Sequence, residues 1–461
     1  MRKGSRHRAA AGMAGAVSIV VALAGCSSSH KAASPTASSA PPSAASPSAA
    51  ASTPAASTPT TSSAASAAPS APASSVAPAA GAVSLTSLDY YSSDPYKSFV
   101  SDHLQSCAVA AGATMASQDH VPGGQLGPKI LQDISAHTLP SLLMIDNPGV
   151  QAIAATGALV PLTDLGVDPT TGIFPGILAA GTYKGKVYGM APSVNSIALF
   201  YNKDLLTAAG VAVPQTWADL TAAAKKLTTS AHYGLAFSAD NDGEGAWHFL
   251  PFLWSNGGDF EHLGDPAAVQ ALTFESDFVK SGSASKSVVS WTQGDVNDQF
   301  AAGKAAMEIN GPWNIAPLDK LQNIHYGIAP IPVPAAGKTL VAPLGGEMWT
   351  IPKTTPAQEA AAAKVVTCMN SPANQLAYNT DVVQVPTRKD VAAQYGQSYP
   401  PIQSFITEVS TARSRTEEVG PLFPTVATAL ETAIQAAITG AASPASALKT
   451  AAATVAAAPA P

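Results

Sequence analysis

The chain has 461 residues and a net charge of −6 at neutral pH, from 24 Lys and Arg against 30 Asp and Glu. An acidic chain is a poor partner for phosphate backbones, so we expect no nucleic acid partner. Three cysteines fit neither a disulfide scaffold nor a cysteine-based metal site, and the nine histidines show no metal-ligand spacing. We therefore expect no metal site and no cofactor.

Residues 1–25 are typical of a secretory signal peptide, because four basic residues precede an apolar stretch that is too short to span a bilayer. The segment that closes it, Leu23 to Cys26, resembles the lipobox of bacterial lipoproteins. That resemblance implies a lipid on the Cys26 sulfur, which would anchor the chain at the extracellular face of the cell membrane. The alternative is a buried cysteine that follows an ordinary signal peptide.

Residues 26–82 follow as a predicted disordered tether, since from residue 27 they are almost wholly Ala, Ser, Pro and Thr. About 380 residues remain, which is enough for two domains with sizeable cores. The alanine-rich run 433–458 is interrupted by Gly, Pro and Lys, and it predicts a surface helix rather than a membrane span.

Short β-type segments alternate with helical periods along the rest of the chain. A helix beginning after Thr216, with Asp219 as its capping-box partner, is the best marked of the helices. The alternation predicts an α/β architecture with parallel sheets, in which ligands bind beyond the carboxyl ends of the strands. The predicted strands are 83–88, 142–145, 196–200, 233–237, 305–309, 326–331 and 347–351.

Eight motifs stand in a fixed order along the chain: Leu-Pro at 139–140 before LLMID, GALVPL at 157–162, YNKDL at 201–205, Pro214 with Trp217, SNGG at 255–258, FAAGKAAMEINGPW at 300–313, PLGG at 343–346 and VPTRKD at 385–390. Together they make the chain resemble the extracellular solute-binding proteins of bacterial ABC-type carbohydrate importers, the group that includes the maltodextrin-binding proteins.

The resemblance implies a two-lobed, type II periplasmic-binding-protein-like fold with each lobe discontinuous and a ligand cleft between the lobes. One lobe would comprise 83–193 and 342–383, and the other 194–341 and 384–461. It also implies a monomer that is not an enzyme, captures a sugar or oligosaccharide, and delivers it to the permease subunits of an importer.

Candidate ligand-binding residues are aromatic faces for sugar rings and polar groups for sugar hydroxyls. The aromatic candidates are Tyr90, Tyr91, Trp247 and Trp313, of which Trp247 and Trp313 occupy positions where the related proteins carry sugar platforms. If the segment stays extended, Tyr90 and Tyr91 point to opposite sides. The polar candidates, with a glycine pair that allows close approach of a ligand, are Asp146, Asn147, Asn195, Gly345, Gly346 and Glu347.

Alternatives remain open at this stage. Each candidate also fits a structural role, such as a core tryptophan or a glutamate beside a tight turn. A non-sugar solute such as a polyamine fits carboxylates next to aromatic residues, and an extracellular hydrolase is a further possibility, although S-x-x-K at 283–286 and S-x-N at 193–195 stand in the wrong order for penicillin-binding enzymes. The sequence leaves open the identity of the sugar and whether Cys107 pairs with Cys368.

Overall fold

The computed structural model describes residues 81–459, which form sixteen α-helices and twelve β-strands. The predicted signal peptide, Cys26 and nearly all of the predicted tether lie outside the described residues. The strands are β1 Val83–Asp89, β2 Ala113–His120, β3 Leu142–Asp146, β4 Thr182–Tyr183, β5 Lys186–Val187, β6 Gly189–Met190, β7 Ser193–Val194, β8 Ala198–Asn202, β9 Met307–Asn310, β10 Tyr326–Ala329, β11 Glu347–Thr350 and β12 Val385–Pro386. The helices are α1 Tyr96–Ala110, α2 Gly123–Ala136, α3 Val150–Ala155, α4 Pro175–Ala180, α5 Lys203–Ala209, α6 Trp217–Leu227, α7 Glu244–Ser255, α8 Pro266–Lys280, α9 Gln293–Ala301, α10 Ile315–Asp319, α11 Pro356–Met369, α12 Pro372–Val382, α13 Lys389–Ser398, α14 Gln403–Val409, α15 Phe423–Thr439 and α16 Pro444–Ala456.

A five-stranded sheet in the order β2-β1-β3-β11-β6 organises the first α/β unit. Strand β1 pairs in parallel with β2 and β3, whereas β11 pairs antiparallel with β3 and β6. Strand β3 is buried on both faces, because Leu142 and Met144 pack in one hydrophobic cluster and Leu143 and Ile145 in the other. This explains why its sequence is an unbroken apolar run.

A three-stranded sheet in the order β10-β8-β9 organises the second unit, and all of its pairs are antiparallel. The prediction of parallel sheets throughout is therefore wrong for this unit. The predicted strand 233–237 is not a strand either, since it pairs with the segment 305–308 only through isolated parallel bridges from Tyr233 and Ala236. Helices α7, α8 and α15 supply about half of the large apolar side chains of this core.

Four chain segments run side by side between the two units. Strand β7 pairs antiparallel with β12, and isolated bridges join Asn195 to Gly345 and Pro343 to Arg413. The backbone bonds between Asn195 and Gly345 are reciprocal, at 3.3 and 2.9 Å. These linking segments form the floor on which the cleft described below is built.

The disulfide, the C-terminal helices and the length of the helices bear on three further sequence predictions. Cys107 on α1 and Cys368 on α11 form a disulfide, which the sequence left open. The alanine-rich C-terminal run forms two helices, and the first of them, α15, is largely buried rather than superficial. Among residues 81–459, no helix combines the length and the apolar character needed to cross a bilayer.

Candidate functional site

A cleft of about 590 Å³ lies above the linking segments and receives side chains from both units. Nine of the ten predicted ligand-binding residues line it: Tyr90, Tyr91, Asp146, Asn195, Trp247, Trp313, Gly345, Gly346 and Glu347. The tenth, Asn147, does not. Its side chain is fully buried and donates to the backbone carbonyl oxygen of Gly346 at 3.0 Å, so it fixes the glycine turn from behind.

Glu347, the first residue of β11, is held by two tyrosines. The Tyr90 hydroxyl donates to Oε1 of Glu347, and the Tyr91 hydroxyl donates to Oε2 at 3.0 Å. Burial raises the pKa of Glu347, and the negative charge of Asp146 adds to this effect, whereas the two tyrosine hydrogen bonds oppose it. Burial likewise raises the pKa of both tyrosine hydroxyls well above its usual value, so they remain donors.

Tyr90 and Tyr91 both reach Glu347, because the extended segment that would point them to opposite sides is absent. Strand β1 ends at Asp89, and the chain then turns, since the Tyr91 amide donates to Oδ1 of Asp89 at 2.9 Å and the Ser92 amide donates to the carbonyl oxygen of Tyr90 at 2.8 Å. The turn brings the two rings to a centroid separation of 4.7 Å. Period-two alternation applies only within a strand, and the strand stops one residue too early for it to hold here.

Trp313 is fixed in the cleft by its own motif. Its indole Nε1 donates to Oδ1 of Asn310 at 3.1 Å, and the Tyr96 hydroxyl donates to its backbone oxygen at 3.1 Å. A Cβ at Gly311 would lie 2.1 Å from the indole ring, so only glycine leaves room for this orientation. The half-buried ring is therefore held in one orientation while part of it faces the cleft.

Trp247 on α7 and Asp146 at the end of β3 are joined by Arg415, which the sequence did not identify. The Arg415 guanidinium lies 4.5 Å from the centroid of the Trp247 ring, and its Nη2 donates to Oδ1 of Asp146 at 2.8 Å. Arg415 follows a linking segment that carries no motif, so only the folded chain brings it to the cleft.

The glycine pair and Asn195 form the floor of the cleft. A Cβ at Gly345 would lie 1.9 Å from Oδ1 of Asn195, and Gly346 has a φ of 123°, in the region that favours glycine. Asn195 also donates through Nδ2 to the side-chain oxygen of Gln384 at 3.2 Å. These contacts explain why glycines stand at 345 and 346, where their backbone lines the cleft.

Further polar side chains line the cleft without having been predicted individually. The loop before α7, which the sequence indicates as polar, contributes Asp242 and Glu244, and Gln293 and Gln384 line the cleft as well. Asp240, Asp242 and Glu244 also place carboxylate oxygens within 4.8 Å of one another, an arrangement that could hold a cation. The partly exposed rings of Tyr90, Tyr91 and Trp313, surrounded by carboxylates and amides, suit a ligand with both an apolar face and many hydroxyls.

The chain is similar to proteins of known class over most of its described length. Residues 110–403 match a family whose description is bacterial extracellular solute-binding protein. A maltooligosaccharide ABC transporter solute-binding lipoprotein of Streptococcus pneumoniae serotype 4 is 28% identical over 295 residues, which is 61% of this chain and 67% of that protein.

Two solved structures have the same fold. The GacH receptor of Streptomyces glaucescens GLA.O, solved unliganded and with acarbose and an acarbose homolog, superposes with a TM-score of 0.70 at 26% identity and covers 80% of this chain and 97% of that one. An ABC transporter solute-binding protein of Thermotoga lettingae TMO bound with alpha-D-tagatose gives a TM-score of 0.72 at 23% identity, with 81% and 99% covered. The predicted two-lobed α/β fold is confirmed by these superpositions.

Proposed function

Because the chain belongs to the bacterial extracellular solute-binding proteins, we propose that it captures a sugar or oligosaccharide in this cleft and delivers it to the permease of an ABC importer. The observation that carries the proposal is the pairing of the oriented, partly exposed aromatic face of Trp313 with the tyrosine-held carboxylate of Glu347 in one cleft. An indole face matches the apolar face of a pyranose ring, and a carboxylate accepts from hydroxyl groups.

Closure of the lobes on the ligand is the mechanism that we attach to this function. Glu347 and Asp146 belong to the five-stranded sheet, whereas Trp313 follows β9 of the three-stranded sheet. A ligand that contacts both groups gains its full binding energy only when they are close together, so it shifts the population toward the closed form. We assign 83–193 and 342–383 to one lobe and 194–341 and 384–461 to the other, which the division of the two sheets supports.

A lipid on Cys26 is the second part of the proposal, and it rests on the lipobox-like sequence. The name of the pneumococcal relative, a solute-binding lipoprotein, supports the same arrangement. Replacement of Cys26 by Ser should release the protein to the medium, which fractionation of the producing cells would detect. Retention of the Cys26→Ser protein in the membrane fraction would refute the anchor.

A carbohydrate panel tests the ligand class. A ligand present at 100 times its Kd stabilises the folded protein by about 2.7 kcal/mol, which for about 380 folded residues corresponds to a rise in melting temperature of roughly 3 °C. We expect one or more maltooligosaccharides or related sugars to produce this shift. If no sugar shifts the transition while spermidine does, the proposal is wrong in favour of a polyamine.

The polyamine alternative has one specific observation in its favour. The cleft is lined by the carboxylates of Asp146, Asp242, Glu244 and Glu347, whereas Arg415 is the one basic side chain among the described residues that line it and is already paired with Asp146. Spermidine therefore belongs in the panel as the competing ligand.

A further inference from the structure

The loop that leads into α7 has an alternating acidic sequence, Asp240-Asn-Asp242-Gly-Glu244-Gly245. Its carboxylates stand at positions one, three and five with a glycine at position six, the spacing found at the start of calcium-binding EF-hand loops. The turn is tight, because a Cβ at Gly245 would lie 2.2 Å from the carbonyl oxygen of Asp240. The three carboxylates thereby converge to within 4.8 Å of one another.

This cluster has no cationic partner within the part of the chain that the structure describes. None of the ion pairs among those residues includes Asp240, Asp242 or Glu244. Asp240 is only 7% exposed, so water does not compensate for its charge. The hydrogen bonds that the cluster accepts come from backbone amides, those of Asp242 to Asp240 and of Gln293 to Glu244.

A fourth carboxylate approaches the same loop from a separate helix. Glu431 on α15 is 4% exposed, and its Oε1 has no hydrogen-bond partner. The backbone amides of Gly243 and Ala246 donate to this carboxylate, and Asp240 and Asp242 are close enough for their negative charges to act on it. A buried carboxylate oxygen without a hydrogen-bond partner, near two further carboxylates, is unfavourable unless a positive charge is present.

We propose that Asp240, Asp242 and Glu244 form a divalent-cation site, with Ca²⁺ as its natural ion and Glu431 as the buried charge behind it. Oxygen-only ligands on a short acidic loop suit Ca²⁺, which accepts irregular geometry and completes its shell with backbone oxygens and water. Mg²⁺ binds such a site less well, because it demands a near-ideal octahedron.

A bound cation would balance the negative charge that the three converging carboxylates bring together. Because Glu244 begins α7 and Trp247 lies one turn further on, the ion would also fix the entry of the helix that carries Trp247.

Calcium titration of the purified, EDTA-treated protein tests the site. We expect calorimetry to show one Ca²⁺ per chain with a Kd of about 1 mM or tighter, the range of extracellular sites, and Tb³⁺ luminescence excited through tryptophan to be displaced by Ca²⁺. Asp242→Asn should weaken binding at least tenfold, and because Asp242 is exposed this variant should fold normally. Glu431→Gln should weaken it as well, whereas Asp277→Asn, an exposed acid on α8, should bind as the unaltered protein does.

Three results would overturn the site: no Ca²⁺ heat and no terbium signal, Ca²⁺ binding that Asp242→Asn leaves unchanged, or stabilisation by spermidine with none by Ca²⁺. The inference does not depend on the sugar ligand. A carbohydrate titration in EDTA and again in Ca²⁺ separates the two, since failure of the cation site leaves sugar binding in EDTA intact.

Discussion

Replacement of Trp313 by Ala should reduce ligand affinity about thirtyfold. A tryptophan buries up to about 250 Å² of surface, and this half-buried ring offers the ligand roughly a third of that, about 80 Å². At about 25 cal/mol per Å² the lost contact is worth about 2 kcal/mol, which is about thirtyfold in Kd. Isothermal titration calorimetry with a maltooligosaccharide, or with the ligand that the panel identifies, measures the change.

Two further variants distinguish a loss of ligand contact from a loss of folding stability. Trp313→Phe keeps a ring but loses the indole hydrogen bond to Asn310, so we expect an affinity between those of the unaltered protein and Trp313→Ala. Trp217→Ala removes another half-buried tryptophan, one that stacks on Phe274 at 4.2 Å and does not line the cleft. It should lower the melting temperature and leave the Kd unchanged. Equal affinities of Trp313→Ala and the unaltered protein, at full ligand occupancy, would refute the platform.

Two stability predictions rest on buried groups outside the cleft. Replacing Cys107 and Cys368 together by Ala should lower the free energy of unfolding by about 5 kcal/mol in a urea titration, since the disulfide closes a separation of 261 residues; an unchanged urea midpoint would contradict this. Glu408 is buried with neither carboxylate oxygen hydrogen-bonded, and burial raises its pKa to about 8. Its folded form therefore holds a proton that the unfolded chain releases above about pH 4.5, so stability falls as pH rises from about 4.5 to 8, by up to about 1.4 kcal/mol per pH unit. Glu408→Gln should flatten that slope by the same amount, and identical slopes for the two proteins would exclude the assignment.

Local signals predicted the elements that depend on local interactions. The capping box of Thr216 and Asp219 is present at the start of α6, and the apolar run 142–145 lies within β3. Strand β2 was missed because Ala113–His120 is a half-exposed edge strand of small and polar residues, and its backbone pairing with β1 alone defines it. The antiparallel pairing of the three-stranded sheet was also missed, since the relative direction of its strands depends on connections that residue patterns do not encode.

In the cleft, the sequence predicted the residues that carry motifs and missed those that only the fold brings in. Trp313 and Gly345 are marked by NGPW and PLGG, and the structure gives each a steric reason, the ring over Gly311 and the amide of Asn195. Asn147 follows a strand as a cleft residue should, but its side chain turns inward to the backbone. Arg415 stands in a segment without any pattern.

The contacts of Arg415 explain how the cleft can be shaped before a ligand arrives. One guanidinium engages Asp146 at the end of a strand of the five-stranded sheet and covers Trp247 on a helix that packs in the core of the other unit. Both contacts are internal to the chain, so they hold a carboxylate and an indole ring in place without the help of a ligand. A binding site whose groups are already ordered loses less side-chain entropy on association. We therefore expect Arg415 to contribute to ligand affinity by orienting Asp146 and Trp247.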